Sequence, residues 1–165
     1  METAFTVLPP TLILAPLICF SKKRLFEELA ECASSILEVS TQQVIDALNL
    51  RESAGSTCIG KGVAIPHALV KSSRSCAVLA LLNQSVTFNS IDSDPEEVDI
   101  AFSFYFSRSR KSEKDEAMLS HLSELLAEPE LVNSLRLSHH DVGKIAAILN
   151  KTDQRLAALM KEDAS

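Results

Sequence analysis

The chain has 165 residues, 46% hydrophobic and 23% charged, with a mean hydropathy of +0.12, the composition of an ordinary soluble globular protein built as one domain. A chain of this length buries about 70% of the surface its unfolded form exposes, so it needs neither a disulfide nor a metal staple. Sixteen Lys and Arg against twenty-two Asp and Glu leave a net charge of −6, which repels phosphate backbones and anionic lipid and argues against nucleic acid or a membrane surface as partner.

The apolar stretch Val7 to Phe20 has the acidic Glu2 ahead of it where a signal peptide carries basic residues, and Pro9, Pro10 and Pro16 break any helix. It is also shorter than the roughly 20 apolar residues that span a bilayer. It is therefore predicted to be an extended arm packed on the domain, residues 1–7 being peripheral, in a cytoplasmic protein. Behind Ser21 as N-cap, Leu25, Leu29, Cys32 and Ile36 recur at helical spacing and predict a helix over about 22–38. Ser40 with Gln43 has the form of a capping box, and Val44, Ile45 and Leu48 carry a second helix to about Glu52.

Three of the four glycines, Gly55, Gly60 and Gly62, then fall within eight residues. Val63-Ala64-Ile65 reads as a short strand stopped by Pro66, with His67 just past the stop. Strands are expected over Cys76–Leu82 and Val86–Phe88. The clearest strand is Val98–Phe106, with Val98, Ile100, Phe102, Phe104 and Phe106 alternating against Asp99, Ala101, Ser103 and Tyr105. Ser107–Glu116, which includes Arg108-Ser109-Arg110-Lys111, reads as a solvated loop running into a helix through Met118, Leu122, Leu125 and Leu126. Pro129 opens another helix with Leu131, Val132 and Leu135 inward. Ser138 and Asp141 offer a cap before Ile145, Ile148 and Leu149, and residues 152–165 are expected as a peripheral polar tail. Helices, strands and helices in that order indicate an α/β or α+β domain spanning residues 1–165.

Cys19, Cys32, Cys58 and Cys76 lie 13, 26 and 18 residues apart, a spacing of reduced thiols rather than of a disulfide framework or a zinc site. His139-His140 sits at an exposed helix start, and adjacent helical residues do not share a face, so no metal is expected there. Nothing in the pattern requires a cofactor.

The densest concentration of chemistry is the run from Arg51 to His67. Glycines there let backbone N–H groups turn toward an anion, Ser56 and Thr57 add hydroxyls, and Arg51 offers a guanidinium suited to phosphate or carboxylate. It is neither a Walker loop nor a Rossmann fingerprint, since the glycine spacing fits neither. An imidazole at a strand end beside these donors suits a phosphoryl acceptor, and equally a histidine hydrogen-bonded in a turn.

The run Arg-Glu-x-x-Gly-Ser-Thr-x-Ile-Gly-x-Gly-Val-Ala-Ile-Pro-His over residues 51–67 closely resembles the active-site segment of the enzyme IIA domains of the bacterial phosphoenolpyruvate phosphotransferase system, fructose/mannitol class. Ser21-Lys22-Lys23-Arg24 resembles the nitrogen-regulatory branch of that class. Phe88 with Ile91-Asp92 and Val98-Asp99, and Leu126 to Leu131 with Leu135-Arg136, extend the similarity over roughly residues 8–150. The resemblance implies a mixed sheet of about five strands with helices on both faces. It implies that His67 takes a phosphoryl group on its tele nitrogen from a histidine-phosphorylated HPr-like carrier, with Arg51, Ser56 and Thr57 supporting it, and that regulatory target proteins read the outcome. Alternatives are a sugar-specific component that passes the group to a fructose/mannitol-type transporter, and a binding-only regulator with impaired transfer.

Two positions depart from the family. Cys58 stands where the family has glycine. The family's second site histidine falls on Asp115 when counted back without gaps from Leu126 and Arg136, whereas His121 would need a shorter helix; an Asp there is expected to orient the His67 ring and to repel a phosphoryl group.

Overall fold

The computed structural model describes residues 5–90, 93–110 and 113–164; Glu2, Ile91, Asp92 and Lys111, which entered the sequence reading, lie outside the described residues. The elements are β1 (Thr11–Leu17), α1 (Lys22–Leu37), α2 (Thr41–Ser53), β2 (Cys58–Gly60), β3 (Val63–Ala64), β4 (His67–Val70), β5 (Cys76–Ser90), β6 (Ser93–Ser107), a 3-10 turn (Arg108–Arg110), α3 (Glu113–Leu126), α4 (Pro129–Leu137) and α5 (Val142–Asp163).

The strands form one mixed sheet in the order β1-β5-β6-β3-β2, with β4 also on β6. β5 and β6 are antiparallel, β1 runs parallel to β5, and β3 and β4 lie end to end along β6, both parallel to it. Alternation along β5 splits the core into two layers. Cys76, Val78, Ala80 and Leu82 pack with α1 and α2, while Ala77, Leu79 and Leu81 pack with the layer of α3, α4 and α5. Helices therefore cover both faces of the sheet.

The capping residues behave as their chemistry dictates. Ser21 accepts from the Arg24 N–H, Ser40 from the Gln43 N–H and Asp141 from the Lys144 N–H, each satisfying one of the orphan donors of a first helical turn.

Four expectations are corrected. The stretch read as an arm contains strand β1, which pairs with β5 from Thr11↔Ala77 to Leu17↔Leu82. The expected polar tail is helix: α5 runs to Asp163, with Thr152, Asp153 and Leu156 buried. Asp153 accepts the backbone N–H groups of Thr6, Val7 and Leu8, each at 2.8 Å, so the first described residues and the last helix hold one another and neither is peripheral. The expected strands at 76–82 and 86–88 are one strand with a register irregularity between Leu81 and Val86. Finally, Val98 packs on the α1/α2 side although Ile100, Phe102, Phe104 and Phe106 face α3–α5. The N–H groups of Asp99 and Ile100 both donate to the Gly62 carbonyl, at 2.9 and 3.1 Å, the arrangement of a β-bulge, and the extra residue reverses the alternation.

Candidate functional site

Arg51 closes α2, where a cation is favoured by the helix dipole, and His67 opens β4 directly after Pro66. The Pro66 carbonyl accepts the Phe104 N–H at 2.9 Å, so the histidine backbone is anchored on the central strand β6. The ring folds back so that Nδ1 lies 2.9 Å from the Ile65 carbonyl. A carbonyl only accepts, so Nδ1 carries the proton and Nε2 carries the lone pair. Arg51 Nε–H donates to that lone pair at 3.1 Å. The role expected of Asp115, orienting the ring through its second nitrogen, is thus filled by the main chain of Ile65.

Burial holds the His67 pKa below the usual histidine value and the Arg51 guanidinium adds to the effect; the Ile65 carbonyl and the Glu52 carboxylate pull the other way without reversing it. The imidazole is therefore kept neutral and nucleophilic at neutral pH.

The glycine-rich loop is braced from within. Gly55 N–H donates to the Glu52 carbonyl, Cys58 N–H to Ser56 Oγ at 3.2 Å, and Thr57 N–H to the Glu52 carboxylate at 3.4 Å. Thr57 Oγ1–H donates to the same carboxylate at 2.6 Å, and Lys22 Nζ holds its other oxygen at 3.0 Å. Backbone N–H groups of this loop are expected from the sequence to turn toward an anion; those of Gly55, Thr57 and Cys58 are instead spent on the loop itself, and Thr57 acts as a brace. Arg51 Nη1 adds a bond to the Gly55 carbonyl at 2.8 Å. At the far turn, Arg136 donates to both Asp99 carboxylate oxygens and, through Nη2, to the Lys61 carbonyl at 2.7 Å.

His67 stands between two cavities. The larger, about 330 Å³, is mostly apolar, with Leu50, Leu69, Phe106 and Leu119 in its wall and Arg51, Arg108, Asp115 and Glu116 among its polar residues. The smaller, about 150 Å³, is lined by Arg51, Ser56, Thr57, Cys58, Ile59, Ile65, Leu119 and Ser123 together with His67. Ser123 and Leu119 were not singled out by sequence reasoning; their register on the inward face of α3 was the available signal. Asp115, in the first turn of α3, shares the larger cavity with His67, whereas His121 points elsewhere, its Nε2 2.7 Å from Asp163 at the end of α5.

Cys58 lies in β2 and is not among the residues with positive φ, so the backbone there accommodates a side chain. Burial, reinforced by Glu96 and Glu52 and opposed by Ser56, pushes its thiol up to about 11, so it is protonated at neutral pH. All four cysteines are free. Among the described residues no group of three His, Cys, Asp or Glu side chains is gathered for a metal ion, and no helix is long and apolar enough to cross a membrane.

Known proteins resemble this chain in sequence and in fold. Residues 6–152 match the family described as phosphoenolpyruvate-dependent sugar phosphotransferase system, EIIA 2. A nitrogen regulatory protein of Klebsiella oxytoca is 34% identical over 125 residues, 74% of this chain and 75% of that protein. The nitrogen regulatory protein of Bradyrhizobium diazoefficiens is 32% identical over 141 residues, 85% and 90% of the two chains. The crystal structure of nitrogen regulatory protein IIA-Ntr from Neisseria meningitidis superposes with a TM-score of 0.66 at 30% identity, covering 74% of this chain and 83% of that one. The IIA mannitol structure from Escherichia coli, at TM-score 0.64 and 17% identity over 83% and 94% of the chains, shares the fold.

Proposed function

The chain belongs to the EIIA 2 family of the phosphoenolpyruvate-dependent sugar phosphotransferase system, most like its nitrogen regulatory members, and on that premise we propose that it is a phosphocarrier charged on His67. The observation that carries the reading is the fixed tautomer: Nδ1–H is tied to the Ile65 carbonyl, and the Nε2 lone pair faces Arg51 between two cavities.

In the proposed step an HPr-like carrier presents a phosphohistidine. The His67 Nε2–P bond forms as the donor's N–P bond breaks, and that bond's electron pair returns to the donor ring. The proton stays on Nδ1, hydrogen-bonded to the Ile65 carbonyl, so no base is needed. The transition state is loose, with charge on the equatorial oxygens, and the Arg51 guanidinium neutralises it after yielding the lone pair. The tele nitrogen is the acceptor. The charged form carries a roughly dianionic group on one surface patch, enough to make or break a contact with a regulatory target protein. The reverse reading, a sugar-specific component, rests on the same chemistry and differs only in the acceptor.

Intact-mass analysis after mixing the chain with phosphoenolpyruvate, enzyme I and a matched HPr-like carrier tests the proposal. The wild type is expected to gain one acid-labile phosphoryl group and His67→Ala none. A wild type that stays uncharged beside a demonstrably phosphorylated donor would leave a binding-only regulator.

A further inference from the structure

A phosphoryl group on Nε2 brings about two negative charges and three oxygens that need donors. The loop side of the site supplies fewer than its composition suggests. Thr57 has committed its hydroxyl hydrogen to Glu52, and the amides of Gly55, Thr57 and Cys58 are bonded within the loop. There remain the Arg51 guanidinium, the main-chain N–H of Ser56, and the Ser56 hydroxyl, which accepts from Cys58 N–H.

The larger cavity is a poor place for the group, since its wall is chiefly apolar and carries the carboxylates of Asp115 and Glu116. Neither carboxylate lines the smaller cavity. On the wall of that smaller cavity contributed by α3 stands Ser123. Serines and threonines within helices commonly return their hydroxyl to a carbonyl of the preceding turn, as Ser134 does to Glu130 and Thr152 to Ile148 in this chain. Ser123 makes no such bond, and among the described residues its hydroxyl has no partner. It is half-buried in α3 and lines the same cavity as Ser56 and His67.

We infer that the smaller cavity is the phosphoryl chamber and that Ser123 is a phosphoryl-binding residue, donating its hydroxyl from α3 to an oxygen that the loop cannot reach. The inference rests on His67 being the acceptor and adds to it the direction in which the group is held. It also makes a carboxylate at Asp115 compatible with transfer, since Asp115 lines the larger cavity and not the chamber.

The test is rapid-quench phosphotransfer from a histidine-phosphorylated HPr-like donor to wild type, Ser123→Ala, Ser123→Thr and His67→Ala, with the ³¹P spectrum of each charged protein. Ser123→Ala is expected to melt at the wild-type temperature, alanine being the better helix former, yet to accept the group about tenfold more slowly, with a displaced phosphohistidine resonance. Ser123→Thr, which restores a hydroxyl, is expected to recover both. Wild-type rate and resonance in Ser123→Ala, with His67→Ala inert, would overturn the role of Ser123 and leave His67 as acceptor. Slow transfer in Ser123→Ala that threonine does not rescue would overturn it too. A wild type that takes no phosphoryl group, or a His67→Ala that takes it equally well, would remove the acceptor itself and this inference with it.

Discussion

The β5–β6 ladder and the segment from Gly55 to His67 adjoin one another and are built on opposite terms. The ladder pairs two long strands, Cys76–Ser90 and Ser93–Ser107, whose own side chains specify both faces: Phe102 and Phe104 stack with ring centroids 4.7 Å apart on one side, and Tyr105 donates to Ser103 on the other. The site segment has strands of only 3 and 2 residues, β2 and β3, and a left-handed Lys61 at φ 56, and only Val63, Ala64 and Ile65 of it are buried apolar residues of the core. Its shape is imposed by side chains from elsewhere: Glu52 and Arg51 at one end, Arg136 with Asp99 at the other. Stability and function are therefore lodged in different places, and substitutions should separate them.

The largest stability effect belongs to the ladder. Phe102→Ala removes a ring that is 1% exposed and is expected to cost about 3–5 kcal/mol, seen as a fall in the thermal midpoint. Below that midpoint, phosphotransfer per folded molecule should stay within about twofold of wild type; a collapse of transfer would show that the two regions are not separable.

Gly62→Ala sharpens the contrast from the other side. At φ +85 an added Cβ would lie 2.6 Å from Arg136 Nη2 and 2.7 Å from Asp99 Oδ1, so the clamp on Lys61 must open. A smaller loss of about 1–3 kcal/mol is expected by chemical denaturation, accompanied this time by slower transfer. Transfer at the wild-type rate would mean that the clamp does not position the loop.

The smallest effect is a pH dependence. The His67 pKa is lowered in the folded chain, whereas the unfolded chain takes up that proton near the ordinary value of about 6.5. The unfolded state therefore binds more protons just below pH 6.5, and stability falls as pH drops through that value until the folded histidine also protonates; above it the contribution vanishes. His67→Gln lacks this component, so the difference in thermal midpoint between wild type and variant should change below pH 6.5 and be flat above it. A difference that is flat throughout would refute the depressed pKa.

Much of this was legible in the residues. The caps at Ser21, Ser40 and Asp141 are local chemistry, and α1 to α4 follow from them and from helical spacing. The concentration of Arg51, Ser56, Thr57 and His67 around the glycines was visible for the same reason. What escaped was decided at a distance. Thr152 and Asp153 look like the start of a tail, because polarity at an inward helical position hides the stripe; only the amides of Thr6, Val7 and Leu8, brought in by the fold, make a buried carboxylate acceptable there. Strand β1 reads from its sequence as an extended arm because parallel pairing with β5 leaves no local mark.

By itself, then, the sequence determined helices α1 to α4 and the start of α5, the central strand, the layered α/β class and the cluster that carries the chemistry, since each depends on residues a few positions apart. The tertiary structure alone decided the strand order, the bulge opposite Gly62, the proton on Nδ1 of His67 and the cavity that Ser123 joins. Those depend on hydrogen-bond partners and cavity walls far apart in the chain, and a one-dimensional pattern holds no record of which distant groups will meet.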